Sequence, residues 1–156
     1  LTLPISSAAI GLMLNLSGLA AGAATVGCSA QMIGFAVMSY RENGLGGLVS
    51  QGLGTSMLQI PNIVNNPYIW LPPTLSGAIL GPIATTIFKM KNVPIGSGMG
   101  TAGLVGQFGT IEAMSSSVIL PILILHFIAP AILTIIFAEI MRSWGLIENN
   151  DLLLDL

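Results

Sequence analysis

Residues 118–141 read VILPILILHFIAPAILTIIFAEIM, and only His126 and Glu139 in that run carry an ionisable group. A helix of this length measures about 36 Å at 1.5 Å per residue. The hydrocarbon core of a bilayer is about 30 Å thick, so the run is long enough to cross it. Pro121 and Pro130 kink such a helix rather than end it when neighbouring helices satisfy the freed carbonyls. The run closes on Arg142, Trp144 and Gly145, the residue types found where a helix leaves the apolar layer. The stretch therefore reads as a membrane span, and the rest of the chain has to be read with lipid as its solvent.

The charge distribution agrees. The chain has 156 residues, with four Lys/Arg and six Asp/Glu, and charged residues make up 6%. Soluble domains carry roughly 25%. Three of the acids, Glu148, Asp151 and Asp155, fall at the very end. Residues 1–40, 43–88 and 92–111 contain no charge at all. Such a chain cannot clothe a water-soluble globular enzyme, and at 53% apolar content it is not a disordered chain either. A net charge of −2 argues against a nucleic-acid partner. One Cys28 and one His126 supply neither a zinc cluster nor a hydrolytic triad, so no metal site, cofactor or catalytic constellation is expected. The first residues run straight into apolar sequence with no initiator Met or signal peptide, which reads as a fragment or a processed part of a longer protein.

Working back from the last span, residues 71–88 (LPPTLSGAILGPIATTIF) form another, opened by Pro72 and Pro73, kinked at Pro82 and closed by Lys89 and Lys91. Residues 1–21 and 22–40 are two further apolar segments. A single helix through both would be far too long for a bilayer, so a break is expected near Ser17 and Gly18. Gly18, Gly22, Ala23, Ala24, Gly27, Ala30 and Gly34 make the second segment a close-packing face and predict self-association. It should stop at Arg41-Glu42-Asn43-Gly44. Tyr68 and Trp70 are an interfacial aromatic pair. Between these spans lie two Gly-rich stretches, GLGGLVSQGLGTSMLQI (44–60) and NVPIGSGMGTAGLVGQFGTIEAMSSS (92–117), which make poor free-standing helices. Placing all four basic residues on the cytoplasmic side makes 22–40, 71–88 and 118–141 run inward. The Gly-rich stretches then serve as returns, and the loop from Asn62 to Trp70 lies outside. The stretch Leu48–Thr55 also resembles Leu104–Thr110 with one residue dropped, which is either an internal repeat or a chance match of Gly-rich sequence. The expected fold is an all-α integral membrane protein: a polytopic helix bundle with two Gly-rich broken or re-entrant segments. Residues 1–145 form the transmembrane domain and 146–156 an acidic cytoplasmic tail.

Backbone that leaves the helix cannot face hydrocarbon, so the Gly-rich stretches belong inside the bundle beside a polar pathway. There Gln51, Thr55, Gln59, Thr101, Gln107 and Thr110 offer neutral donors and acceptors, and glycines such as Gly98 leave amides open to a ligand. Neutral amides and hydroxyls suit a neutral polyhydroxy compound such as a sugar. The Gly-Ser-Gly-Met-Gly run is no nucleotide loop, because no strand precedes it and no Lys-Ser/Thr follows. Glu112 is either a ligand group within the membrane or a residue at the interface. His126, mid-span, either serves substrate or protons or bonds a neighbouring helix. Asn62, Asn65 and Asn66 line an outer mouth or make turns. Asn15 and Gln31 read as interhelical glue, and Glu139 as the partner of Arg142. The candidate binding set is Gln59, Asn62, Gly98, Thr101, Gln107, Glu112 and His126.

PNIVNNPYIWLPPTLSGAILGPIATTIFKMKN, followed by GSGMGTAGLVGQFGT, resembles the membrane-embedded EIIC component of bacterial sugar phosphotransferase systems, and within it the PfoR-like branch. GLAAGAATVGCSAQMIGFAV and QGLGTSMLQIPNI fit the same pattern. The resemblance covers roughly residues 5–142, and members are longer, so the chain is similar to their C-terminal half. It implies a multi-pass protein of the cytoplasmic (inner) membrane that binds a sugar and carries it across. EIIB then phosphorylates the sugar with phosphate taken from EIIA. It further implies a carboxylate and a histidine near the sugar hydroxyls, for which Glu112 and His126 are the candidates. Two other functions fit the same residues. One is a membrane regulator or sensor without transport, contacting a partner through its acidic tail. The other is a passive pore.

Overall fold

A computed structural model describes residues 4–154. Within them the chain is helical, with no strand beyond one isolated bridge pairing Gly18 with Asn92. Helix α1 (Pro4–Met13) begins on a proline, whose missing N–H costs nothing in the first turn. The chain then turns through Asn15 in the left-handed region and starts α2 (Gly18–Met38) after Ser17. Helix α3 (Tyr40–Val49) bends at Gly44, where φ is +57°. A π turn at Ser50–Gly54, a 3-10 turn at Ser56–Gln59 and the short α4 (Ile60–Asn65) lead to α5 (Leu71–Thr86). Helices α6 (Pro94–Ser97) and α7 (Val105–Met114) precede the last long helix, α8 (Ile119–Ser143), which contains a π turn at Leu123–Ile128. Among the described residues two helices, α2 with 21 residues and α8 with 25, are long and apolar enough to cross a membrane.

Helix α2 is the centre, packed on both α5 and α8. Its glycines set the approach. A Cβ on Gly34 would stand 2.7 Å from Pro73 Cβ and 2.8 Å from Thr134 Oγ1, and one on Gly22 would strike the Met90 carbonyl. Gly77 of α5 abuts Ala30 and Gly27. Gln31 Nε2 donates to Thr74 Oγ1 at 2.9 Å, where glue between helices was expected. Gly27 has open space at its own Cβ position. Gly22→Ala is therefore expected to cost about 1–3 kcal/mol by forcing backbone apart. Gly27→Ala should be neutral or stabilising by up to about 1 kcal/mol. Unfolding in detergent micelles measures both, and equal losses would refute the assignment of Gly22 to the tight contact.

These contacts correct the expected helix directions. Gly34 lies opposite Pro73, Ala30 opposite Gly77 and Gly22 opposite Met90, so α2 and α5 are antiparallel. Gly34 also meets Thr134, and the Met38 carbonyl accepts from Arg142, so α2 and α8 are parallel. The four basic residues consequently split by end, Arg41 and Arg142 at one and Lys89 and Lys91 at the other. The charge rule had placed them together. The loop containing Asn62 and Asn66 sits at the Arg end beside residues 146–154, where Asn66 Nδ2 reaches the Leu146 carbonyl at 3.0 Å. It does not lie opposite the tail. Asp155 of that tail is outside the described residues.

The interior is layered. Val26, Leu80, Ala84, Met90, Val118, Ile122 and Leu125 form an apolar cluster toward the Lys end. Phe35, Met38, Ile69, Ala138, Met141, Ile147 and Leu152 form another toward the Arg end. On each long helix a buried hydroxyl lies between the two clusters: Ser29 on α2, Ser76 on α5 and Thr134 on α8. None of these three has a hydrogen-bond partner.

Candidate functional site

The two Gly-rich stretches enter this middle layer from opposite ends. The first leaves the Arg end, where Gln51 Nε2 donates to Ser39 Oγ at 2.7 Å, and reaches the level of Ile33 and Ala36 at Gly52. It returns to Gln59, which donates to the Leu152 carbonyl at 3.0 Å. A continuous helix could not reverse so soon. Gly44 and the π turn provide the bends, and π turns are frequent at functional sites.

The second stretch starts beside Gly18 at the Lys end, advances along α2 and turns at Gly100–Leu104. Gly100 (φ +54°) packs so closely on Cys28 and Ser29 that a Cβ would come within 2.8 Å of the Cys28 carbonyl carbon. Helix α7 carries the chain back, with Gly106 against the Gly100 carbonyl and Met114 Sδ 3.0 Å from the Lys91 amide. The tips of the two stretches meet where Thr101 Oγ1 donates to the Gly52 carbonyl. Thr101 is fully buried, and its hydroxyl also approaches Met32 Sδ.

Gln107 and His126 are brought together. Gln107 Nε2 lies 2.9 Å from His126 Nδ1, and both side chains are buried. With the amide donating, Nδ1 is the acceptor and Nε2 carries the ring proton. Gln107 Oε1 and His126 Nε2 then remain unpartnered, one acceptor and one donor in a buried place. His126 sits in the π turn of α8. Pro130, four residues on, has no N–H for the His126 carbonyl, which explains why regular helix gives way here. An apolar cavity of about 230 Å³ touches both π turns, lined by Ile33, Gly52 and Leu53 on one side and Phe127 on the other.

The remaining candidates lie apart. Gly98 packs on Ser7 of α1, whose hydroxyl donates to the Gly98 carbonyl at 2.6 Å. Glu112 is exposed on α7, two residues before Met114 and so near the Lys end. Its five-residue spacing from Gln107 puts it on another face of the helix. Gln59 and Asn62 are occupied at the Arg end. Gln59 donates to Gln51 Oε1 at 3.0 Å, and Asn62 donates to Gln59 Oε1 at 2.9 Å and to the Leu153 carbonyl at 2.8 Å. No three His, Cys, Asp or Glu side chains group to hold a metal ion among the described residues.

Sequence reasoning missed Asn92. It is 1% exposed, and Nδ2 donates to Thr25 Oγ1 at 2.6 Å and to the Gly106 carbonyl at 2.9 Å. Its Oδ1 accepts from the Val93 amide at 2.7 Å. Its side chain thus ties both arms of the second Gly-rich stretch to α2. Gly96 and Gly109 leave it room, since a Cβ on either would strike the Asn92 side chain. The available signal was an uncharged Asn opening a Gly-rich stretch just after a span.

No curated protein and no solved structure matches the chain. The family described as phosphotransferase system, EIIC, matches residues 1–154, and with that match over nearly its whole length the chain belongs to the EIIC family.

Proposed function

We propose that this chain is the sugar-binding and translocating part of a phosphoenolpyruvate-dependent phosphotransferase system. In this reading it crosses the inner membrane several times as a polytopic bundle. The stretches 44–60 and 92–117 enter as re-entrant segments, and the sugar is neutral. The family supports the coarser statement that it is a sugar-transport membrane subunit, with EIIB and EIIA as general partners.

The observation that carries the finer reading is the buried Gln107–His126 pair beside two interrupted segments, with Gln107 Oε1 and His126 Nε2 unpartnered. Leaving buried polar atoms unpaired costs about 1–3 kcal/mol each. A sugar hydroxyl both donates and accepts, and one hydroxyl or a vicinal pair satisfies such a site. Ser29, also unpartnered, adjoins Gly100 at the second tip and adds a further hydroxyl to the same middle layer. Thr101, Gln107 and His126 form the proposed binding group, with Gly98 giving the second segment its close approach to α1. Gln59, Asn62 and Glu112 stand outside that group.

Sugar binding to the full-length protein in membrane vesicles tests this, using a panel of neutral sugars and then uptake with EIIA, EIIB and phosphoenolpyruvate. Gln107→Leu and His126→Leu should each weaken binding by about tenfold or more, the equivalent of one lost buried hydrogen bond. Glu112→Gln should stay within about twofold. Unchanged binding in the first two variants would sink the assignment.

A further inference from the structure

Residues 146–154 do not hang free of the bundle. The chain leaves α8 through Gly145, at φ +71°, and Leu146 N closes back on the Met141 carbonyl at 3.0 Å. Ile147 and Leu152 then plunge into the apolar cluster of the Arg end, Leu152 with no exposed surface. Around them stand side-chain amides, each of which bonds strap backbone. Asn43 Nδ2 donates to the Leu152 carbonyl at 2.7 Å, and Asn43 Oδ1 accepts from Leu154 N at 2.8 Å. Gln59 shares the Leu152 carbonyl, Asn62 takes that of Leu153 and Asn66 that of Leu146. Asp151 Oδ2 accepts from Asn66 Nδ2 at 2.6 Å and from Glu148 N at 2.8 Å, which shapes the turn before Leu152.

The amide cradle connects inward. Gln59 donates to Gln51, and Gln51 donates to Ser39 and to the Gly47 carbonyl in the arm that carries the π turn. The next residue, Gly52, receives Thr101 from the opposite tip. The strap reaches the first Gly-rich segment through the Gln59 bond to the Leu152 carbonyl, is anchored by Leu152 in the apolar cluster beside it, and makes no ion pair among its described residues. Beside its hinge lies a cavity of about 520 Å³ lined by Arg41, Glu139, Arg142, Gly145, Ile147 and Glu148 among others.

We propose that residues 146–154 are a releasable strap whose receptor is the amide cradle of Asn43, Gln59, Asn62 and Asn66. Docked, it clamps the first Gly-rich segment and holds the Thr101–Gly52 tip contact. Released, it frees the segment to move. The ligand class of the cradle is a turn-forming peptide with a buried leucine, read mainly through its backbone carbonyls.

Hydrogen exchange by mass spectrometry on the full-length protein tests this without reference to sugar, so failure of the transport reading leaves the result intact. In a Cys28→Ala background, Asn62→Cys with Leu153→Cys allows the strap to be pinned by oxidation. Exchange within residues 44–60 should be at least about tenfold faster in the reduced than in the oxidised form, with α5 unchanged. Leu152→Asp in the otherwise intact chain should give the same acceleration. If Leu152→Asp raises exchange in α5 as well, the variant has unfolded and the cross-link comparison decides. Equal exchange in pinned and free straps would overturn the proposal. So would a cross-linked dimer, which would assign the cradle to the strap of a second copy.

Discussion

Asn92→Leu is expected to destabilise the protein by about 2–4 kcal/mol, because it removes three hydrogen bonds worth about 0.5–1.5 kcal/mol each, although Thr25 Oγ1 keeps the Ala21 and Gly96 carbonyls and the Gly106 carbonyl keeps Thr110 Oγ1. The leucine cannot donate to Thr25 Oγ1 or the Gly106 carbonyl, two buried bonds, nor accept from the Val93 amide, a half-buried one. It must also fit between Gly96 and Gly109, whose missing side chains make the space that the amide fills. The loss should be local in character. The arms of the second Gly-rich segment separate from α2 first, so the contacts of Gly100 with Cys28 and Ser29 loosen along with them. Denaturant titration in mixed micelles gives the magnitude, and Lys91→Ala, at an exposed neighbour, serves as the control with an effect near zero. A loss below about 1 kcal/mol for Asn92→Leu would mean that surrounding groups or water replace the bonds, and the hub assignment would fail.

Arg142→Leu should cost about 3–5 kcal/mol, for a different reason. Arg142 Nη2 lies 3.2 Å from Glu42 Oε1, with only 13% and 7% of the two side chains exposed. It also donates to the Met38 carbonyl at 3.1 Å, which joins the end of α2 to α8. Removing the guanidinium leaves the Glu42 carboxylate buried without its cation. Replacing both partners removes that penalty, so the Glu42→Leu/Arg142→Leu double variant should recover most of the loss. The exposed pair of Arg41 with Glu139, at 3.1 Å, contributes little by comparison, and Arg41→Ala should change stability by less than about 1 kcal/mol. Thermal unfolding of the parent, Glu42→Leu, Arg142→Leu and the double variant forms a complete cycle, and a double variant no more stable than Arg142→Leu would show that the charge is not the source of the effect.

The ion pairs also show how far local pattern reaches. Glu139 and Arg142 are three residues apart on one helix and do pair, at 3.4 Å, as their spacing implied. The more buried partner, Glu42, lies 100 residues away and carries no local mark of its role. The same limit explains Gln59 and Asn62. As neutral amides in or beside a Gly-rich apolar stretch they fit a sugar site, yet they face the chain's own C-terminal carbonyls. In the sequence Gln107 stands out as a neutral amide in a Gly-rich stretch and His126 as an ionisable group in mid-span. Their pairing depends on α7 returning against α8, which no spacing along the chain reveals.

Composition and run length, read without any contact, were enough for the solvent, the helical class and the break at Ser17–Gly18. A charge in hydrocarbon is costly wherever it sits, so long uncharged runs carry that information locally. The directions of the helices, the docking of residues 146–154 and the Asn92 hub came only with the tertiary structure. Each of these depends on where a Gly-rich segment turns back, and glycine permits many turns while selecting none. The choice among them is made by close contacts between residues far apart in the chain: Gly22 with Met90, Gly34 with Pro73 and Thr134, Thr101 with Gly52 and Gln59 with Leu152.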